Sequence, residues 1–189
     1  MSDPPIAAVI LAAGLSRRLG RPKQSIVLAG ETLVERSIRI TQEAGLSPVL
    51  VVLVDSDLIE SVQARGAFAL LNRNTWEGLA TSIHVGIDWA RGIQAAGVVL
   101  MTCDQPAVQP EHLRALIEEP SVAVGSAYAG KIGVPAYFPS SSFPALLQLQ
   151  GDTGARDLLR YARSIHTEDL AFDIDTEADV ELAQSRFDV

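Results

Sequence analysis

The stretch that decides the fold is IAAVILAAGLSRRLGRPKQ, residues 6–24. Its first part, IAAVILAA at 6–13, is a continuous apolar run, which is typical of a central parallel strand buried on both faces. Its second part is rich in glycine, arginine and lysine. In open α/β sheets, ligands bind where the carboxyl end of such a strand continues into a loop. The stretch therefore predicts an α/β fold whose first strand ends in an anion-binding loop.

Short apolar runs and longer helical patterns alternate along the rest of the chain, as a mostly parallel sheet with crossover helices requires. Further strands are predicted at 48–54, 68–71 and 97–102. The runs at 121–128 and 134–138, joined through Gly130 and Gly133, predict a small antiparallel excursion. The absence of repeats and linkers favours one domain over residues 1–189.

Helices are predicted between the strands. In ETLVERSIRITQEAG, at 31–45, Thr32 and Glu35 match a capping box. The pattern at 78–92 predicts a helix with Leu79, Ile83, Gly86 and Ile87 facing inward. Later helices are expected from Pro110, over FPALLQL and over TGARDLLRYA.

The composition limits the classes of function. The chain has 15 Lys and Arg against 23 Asp and Glu, and this balance argues against a nucleic-acid coat. The first apolar stretch is too short to cross a membrane, so we expect a cytoplasmic protein without a membrane partner. The single cysteine, Cys103, excludes an internal disulfide, and a buried structural role is favoured over a nucleophile.

The loop after the first strand has the chemistry of a phosphate site. Glycines bring backbone N–H groups close to an anion, and Arg and Lys add charge-assisted hydrogen bonds. It is neither a Walker A loop, because Arg21 and Pro22 precede Lys23, nor a dinucleotide fingerprint, because Ser16 occupies the second glycine position. A solvated basic loop is the alternative, and for Arg17 and Arg21 it is the favoured one.

The pattern LAAG-x-S-x-R-x-G-x-PK, from Leu11 to Lys23, resembles the signature of the molybdenum cofactor nucleotidyltransferases. The resemblance implies a three-layer, Rossmann-like nucleotidyltransferase fold in which this loop holds a nucleoside triphosphate. It also implies catalytic roles for Arg18, Lys23 and Asp104. The nucleotide-binding positions it implies are Leu11, Ala12, Ala13, Gly14, Ser16, Arg18 and Lys23.

The same loop bears on the choice of base. The guanine-using branch of this family typically reads LAGG, whereas this chain has Ala13 before Gly14. A methyl group there would restrict the approach of a large purine to the backbone. The resemblance therefore favours CTP over GTP.

Acidic residues follow the fourth predicted strand and recur near the end of the chain. MTCDQP places Asp104 at the sheet edge, and its DQP resembles the family motif whose Asp binds Mg²⁺. DIDTEAD, at 173–179, resembles the family's closing acidic motif, and Asp173 and Asp175 would share one face of an extended segment, where both could bind a metal ion together with Asp104. The resemblance favours Asp173 over Asp175 as a metal ligand. Asp104 as a turn residue and Asp175 as a helix N-cap are the structural alternatives.

Three more stretches resemble the acceptor side of the family. NRNTWEGLATSI carries Trp76, GKIGVPAYF matches a G-x-P loop, and GDTGARDLL matches a GDxGAR element. The implied acceptor-binding residues are Gly78, Ser82, Gly133, Pro135, Asp152 and Arg156. Glycine turns and a helix capped by Asp152 or Thr153 would explain these stretches without a ligand, and Trp76 would then be a packing residue.

Together these motifs favour one hypothesis, the Mg²⁺-dependent transfer of CMP from CTP to the terminal phosphate of molybdopterin, with release of pyrophosphate. One alternative keeps the chemistry and changes the base to guanine or the acceptor to another phosphorylated compound. A second is a non-catalytic nucleotide-binding maturation factor for a molybdenum hydroxylase. The partners expected are the triphosphate, a molybdopterin-type acceptor and such a hydroxylase or maturation factor.

Overall fold

The structure, a computed structural model, describes residues 3–14, 16 and 18–187. The strands, in chain order, are β1 (Ile6–Ala12), β2 (Val27–Leu28), β3 (Glu31–Thr32), β4 (Val49–Leu53), β5 (Phe68–Leu71), β6 (Gly97–Thr102), β7 (Val124–Tyr128), β8 (Lys131–Pro139) and β9 (Arg163–His166). The α-helices are α1 (Leu33–Glu43), α2 (Ile59–Ala64), α3 (Leu79–Gly92), α4 (Pro110–Leu116), α5 (Phe143–Leu146), α6 (Arg156–Leu159) and α7 (Glu177–Phe187). The short 3₁₀ helices are Lys23–Ser25, Thr75–Glu77, Ser140–Ser142 and Glu168–Ala171.

In the described part of the chain, the main sheet has seven strands in the order β5-β4-β1-β6-β8-β7-β9. Strand β1 lies between β4 and β6 and is parallel to both. Strand β8 is antiparallel to β6 and β7, while β9 is parallel to β7. The predicted α/β class, with a mostly parallel sheet and a small antiparallel part, is confirmed.

The side chains of β1 alternate between two apolar layers. Ala8, Ile10 and Ala12 face a core that contains α1, α2 and α4. The intervening residues Ala7, Val9 and Leu11 face a second core, formed with α3, α5 and α6. A strand with period-2 alternation, apolar on both faces, needs helices on both sides of the sheet. The result is the expected three-layer arrangement.

The predicted helices are present, but the bounds of some helices and one of the residues expected to face inward differ from the prediction. The capping box of α1 is present, with Thr32 N–H donating to Glu35 Oε2 at 3.0 Å and Glu35 N–H donating to Thr32 Oγ1 at 3.3 Å. In α3, Ile83, Gly86 and Ile87 are buried, but Leu79 is 38% exposed and lines a cavity instead of the core. The helices α4, α5 and α6 are shorter than predicted, and the N-cap residue of α6 is Ala155, which makes no side-chain cap.

Several elements escaped the sequence prediction. They include α2, the small β2–β3 hairpin and the edge strand β9. Strand β9, RSIH, is mostly polar and exposed, so its apolar periodicity is too weak to distinguish it from a loop. Among the described residues, no helix is long and apolar enough to cross a lipid bilayer.

A third apolar cluster joins the end of the chain to the loop after β1. It contains Leu19, Ile26, Leu28, Leu33, Ile174, Val180 and Ala183. Burial of these side chains fixes the segment before α7 against the loop. This contact positions the residues of the candidate site.

Candidate nucleotide-binding site

The loop after β1 folds back on itself through Ser16. Ser16 has a left-handed φ of 46°, and its carbonyl accepts the N–H groups of Leu19 at 3.1 Å and Gly20 at 3.0 Å. Its Oγ accepts the Lys23 backbone N–H at 3.1 Å. Ser16 thus adopts at this position the kind of backbone conformation that glycine usually supplies. The turn fixes the backbone of Lys23 relative to the end of β1.

The side chains predicted to meet at the sheet edge do meet. Lys23 Nζ lies 3.3 Å from Asp104 Oδ2 and forms a second ion pair with Asp175. Asp175 also accepts a hydrogen bond from the Arg18 guanidinium. Desolvation lowers the pKa of Lys23, but its contacts with Asp175 and Asp104 outweigh that effect and raise it. Lys23 is therefore a charged ammonium group that lies between two partly buried carboxylates.

Ile174 explains how distant segments come together. Its side chain is fully buried in the third cluster, and its backbone N–H donates to the carbonyl of Asp104 at 2.9 Å. An extended segment with Ile174 inward directs its neighbours Asp173 and Asp175 away from that cluster. The acidic segment at 173–175 is consequently attached directly to the loop that carries Asp104.

A cavity of about 530 Å³ opens at this edge of the sheet. We call it the nucleotide cavity, and it is lined by Leu11, Ala12, Ala13, Gly14, Ser16, Arg18, Lys23, Gln24, Thr75, Trp76, Gly78, Leu79, Ser82, Thr102, Cys103, Asp104, Asp152 and Asp175. All the predicted nucleotide-binding positions are among them. The cationic loop and the acidic residues thus face one space.

A second cavity of about 530 Å³ lies beside the first, and we call it the acceptor cavity after the role predicted for Gly133, Asp152 and Arg156, which line it. Its lining includes Leu79, Thr102, Tyr128, Gly133, Val134, Asp152 and Arg156. Asp152, Leu79 and Thr102 line both cavities, so the two spaces adjoin. Of the predicted acceptor residues, Gly78 and Ser82 line only the nucleotide cavity, and Pro135 lines neither.

The structure also distinguishes the roles of the acidic segment. Asp175 is not the N-cap of α7, because Thr176 Oγ1 accepts the N–H of Asp179 at 3.3 Å and Asp179 accepts the N–H of Thr176 at 2.7 Å. Asp173 does not line the nucleotide cavity. Desolvation and the charges of Asp175 and Asp104 nevertheless raise the pKa of Asp173. A cation among these three carboxylates would relieve their mutual repulsion.

The carboxylates are suited to a hard divalent cation, although they do not form a complete cage. Across residues 3–14, 16 and 18–187, no group of three or more His, Cys, Asp or Glu side chains has the geometry of a metal site. Mg²⁺ commonly takes one or two carboxylates and completes its shell with waters and substrate phosphates. The carboxylates of Asp104 and Asp175, which both line the nucleotide cavity, fit that mode of binding.

Comparison with known proteins agrees with this geometry. Residues 8–168 match the family model described as the MobA-like NTP transferase domain. The chain belongs to this family. It is 33% identical over 172 residues to the purine catabolism protein PucB of Bacillus subtilis, covering 85% of this chain and 83% of that protein. It is also 33% identical over 110 residues to a molybdenum cofactor guanylyltransferase of Rhodobacter capsulatus, covering 57% of this chain and 55% of that protein.

The fold is shared with solved structures. The Rv0371c protein of Mycobacterium tuberculosis superposes with a TM-score of 0.80 at 28% identity, covering 98% of this chain and all of that one. A complex of the same protein with manganese superposes with a TM-score of 0.77 at 26% identity and similar coverage. Membership of the MobA-like family makes this chain a nucleotidyltransferase.

Other predictions for this MobA-like chain have mixed outcomes. Cys103 is buried as expected. Burial, and to a smaller extent the charge of Asp104, raises the pKa of its thiol to about 12. Arg21 forms a two-hydrogen-bond surface pair with Glu177 and does not line the nucleotide cavity. Arg17 lies outside the described residues. Trp76 is 72% exposed at the nucleotide cavity, so the interpretation of Trp76 as a packing residue was wrong.

The sequence of this MobA-like chain did not lead to a prediction for two residues at the site. Tyr128 lines the acceptor cavity, and Gln105 hydrogen-bonds to it from the residue after Asp104. Gln105 belongs to the quoted DQP motif, so the motif was a usable signal for it. Tyr128 ends a strand with an ordinary apolar pattern, and only the antiparallel pairing of β7 with β8 brings it to the cavity.

Proposed function

We propose that this protein transfers CMP from CTP to the terminal phosphate of a molybdopterin-type acceptor and releases pyrophosphate. The observation that carries the proposal is the convergence of Lys23, Arg18 and Asp104 on one cavity that adjoins a second cavity. One cavity suits the triphosphate, because the cations Lys23 and Arg18 favour an anion there. The adjoining cavity suits the acceptor.

The chemistry asks little covalent help from the protein. An oxygen of the acceptor phosphate forms a bond to the α-phosphorus of CTP, and the bond from that phosphorus to the bridging oxygen of pyrophosphate breaks. Because the attacking phosphate is already ionised near neutral pH, no general base is needed. Catalysis then depends on alignment and on fixed positive charge near the phosphate oxygens, which Lys23 and Arg18 supply.

A divalent cation would complete the charge balance. Asp104, with Asp173 and Asp175, would hold Mg²⁺, which would neutralise charge on the phosphate oxygens when bound. In the structure Lys23 and Arg18 already neutralise Asp175. We propose that a triphosphate takes these cations from Asp175 and so frees its carboxylate.

The choice of base rests on Ala13, whose methyl group is buried at the lining of the nucleotide cavity. The Rhodobacter relative is named a guanylyltransferase, and this favours GMP transfer as the second candidate. A phosphorylated acceptor other than molybdopterin is the third outcome of the test below.

The cytoplasm is the compartment we propose, since a chain with one buried cysteine requires no oxidising environment. A molybdenum hydroxylase or its maturation factor would be the recipient of the product. A purely non-catalytic maturation role is less favoured, because Lys23 and Asp104 meet beside an adjoining cavity in the arrangement that transfer requires.

The deciding experiment supplies the purified protein with each of the four nucleoside triphosphates, Mg²⁺ and molybdopterin, and measures pyrophosphate release. The proposal predicts the fastest release with CTP and none without molybdopterin. Faster release with GTP would mean that the protein transfers GMP instead of CMP by the same chemistry. Nucleotide binding without pyrophosphate release from any triphosphate would favour the non-catalytic role.

A further inference from the structure

The wall of the acceptor cavity contains a break in the sheet. Strand β7 pairs with β8 through Val124 with Tyr137 and Gly125 with Ala136, and the pairing then shifts to Ser126 with Gly133. Val134 and Pro135 therefore have no partner residue in β7, and they have none in β6 on the other side of β8. Such bulges re-aim the chain and are common beside active sites. Gly133 and Val134 line the acceptor cavity here.

The carbonyl groups of the bulge are bound by side-chain hydroxyls. Tyr128 Oη donates to the carbonyl of Val134 at 2.8 Å. Ser126 Oγ donates to the carbonyl of Pro135 at 2.5 Å. Tyr128 reaches the bulge because residue 133 is glycine, since a Cβ at that position would lie 2.9 Å from its Oη. The two hydroxyls thus replace the ladder hydrogen bonds that the bulge lacks.

Tyr128 is itself held by the loop that carries Asp104. Gln105, the residue after Asp104, is buried and donates through Nε2 to Tyr128 Oη at 3.1 Å and to the carbonyl of Leu170 at 3.0 Å. The carbonyl of Leu170 can only accept, so the amide nitrogen of Gln105 must face it. A continuous path of hydrogen bonds therefore joins the loop of Asp104 to the bulge at Val134.

We propose that Tyr128 is a positioning residue that fixes the acceptor-side bulge at Gly133–Pro135 relative to the loop carrying Asp104. The inference rests on the proposed function for its account of the acceptor. Tyr128 takes no part in bond making. Its hydroxyl sets where the cavity wall stands with respect to the triphosphate, so its loss weakens acceptor binding and leaves nucleotide binding intact.

The test compares Tyr128→Phe with Tyr137→Phe. Tyr137 is a buried tyrosine of the same sheet whose Oη donates to the carbonyl of Pro120 at 2.9 Å, so both variants lose a hydroxyl and keep the ring. With CTP, Mg²⁺ and molybdopterin, Tyr128→Phe should raise the acceptor KM about tenfold, with the CTP KM unchanged and a smaller fall in kcat. Tyr137→Phe should leave the acceptor KM unchanged.

Hydrogen–deuterium exchange provides a readout that does not depend on the acceptor. Tyr128→Phe should speed the exchange of amides in residues 131–136, whereas Tyr137→Phe should affect residues near Pro120 instead. Gln105→Leu cuts the same path at its other end and should reproduce the pattern if Tyr128→Phe does not fold. Unchanged exchange at 131–136, or equal kinetic effects of the two tyrosine variants, would overturn the inference. If the wild type releases no pyrophosphate with molybdopterin, the proposed function fails and exchange alone decides the inference.

Discussion

The two cavities adjoin at the same edge of the sheet, yet they are built by different means. Ion pairs define the nucleotide cavity, where Lys23 and Arg18 face Asp104 and Asp175. Shape defines the acceptor cavity, through a sheet bulge at Gly133–Pro135 in its wall. On the proposed function, charge captures the polyphosphate, while fitted walls align the larger acceptor.

The largest effect is expected from Lys23→Ala. On the proposed function, this change removes a cation that contacts the phosphates of the bound triphosphate, an interaction that strengthens toward the transition state. Removing one such fixed charge or donor typically lowers kcat by about 10²–10³-fold. We expect pyrophosphate release to fall by that amount while the circular dichroism spectrum is retained.

Arg91→Ala is the matched control for Lys23→Ala. Arg91 is an exposed cation that pairs with Asp88 on α3 at 3.5 Å, so its removal lowers net positive charge by the same amount away from the cavities. Turnover should be unchanged. Equal losses in the two variants would assign the effect to overall charge and remove the special role of Lys23.

Gly78→Ala tests the cavity wall beside Asp152, the residue after Gly151 that lines both cavities. Gly78 has a φ of 99° and ψ of −179°, a conformation essentially restricted to glycine, and a Cβ there would collide with the backbone of Gly151 and Asp152. We expect a loss of about 1–3 kcal/mol in unfolding free energy. Displacement of the wall should also lower turnover about 100-fold.

Gly92 is the control at the opposite end of the same helix. A Cβ at Gly92 meets nothing within 4 Å, so Gly92→Ala should leave turnover unchanged and stability equal or slightly higher. Thermal melting and pyrophosphate release measure both quantities. Wild-type behaviour of Gly78→Ala would mean that the close approach of Gly78 to Gly151 is not needed for turnover.

The difference between the two cavities also explains why the sequence predicted the nucleotide cavity better than the acceptor cavity. The loop at 11–23 and Asp104 follow strands whose apolar runs are unmistakable, so their meeting at the carboxyl edge follows from parallel topology. The path from Gln105 to Tyr128 and Val134 depends on a register shift in an antiparallel pair. No local pattern encodes that shift, because it arises from packing between segments distant in sequence. The exposure of Trp76 is unpredictable for the same reason.

Trp76 lines the nucleotide cavity and not the acceptor cavity, so its fluorescence tests whether a bound acceptor extends from its own cavity into the first one. The chain has two tryptophans, and Trp89 packs near Phe68 with ring centroids 5.8 Å apart, while Trp76 is exposed at the nucleotide cavity. Stacking of a pterin ring on Trp76 should quench its fluorescence, and Trp76→Leu should raise the acceptor KM about thirtyfold. Trp89→Phe should retain the quenching. Quenching that persists without Trp76 would contradict this contact.

Ala13→Gly sharpens the choice of base. A single methyl group in a pocket discriminates by about 1–3 kcal/mol, and Ala13 is buried at the lining of the nucleotide cavity. We expect the ratio of kcat/KM for CTP to that for GTP to fall about tenfold. Competition between the two triphosphates measures this ratio directly. An unchanged ratio would move base selection away from residue 13.

Asp175→Asn should have the smallest effect, and its sign is informative. Asp175 pairs with both Lys23 and Arg18, so in the absence of metal it competes with an incoming triphosphate for the same cations. Because partly exposed ion pairs contribute little, removal of its charge should tighten CTP binding in a metal chelator only about fivefold. With Mg²⁺ present, the tighter CTP binding of Asp175→Asn should vanish, because the variant lacks the carboxylate that would otherwise bind the metal ion. Asp169→Asn, which disrupts the surface pair with Arg186, should alter neither titration. Weaker CTP binding by Asp175→Asn in the chelator would show that Asp175 orients the cations for phosphate and does not compete with it.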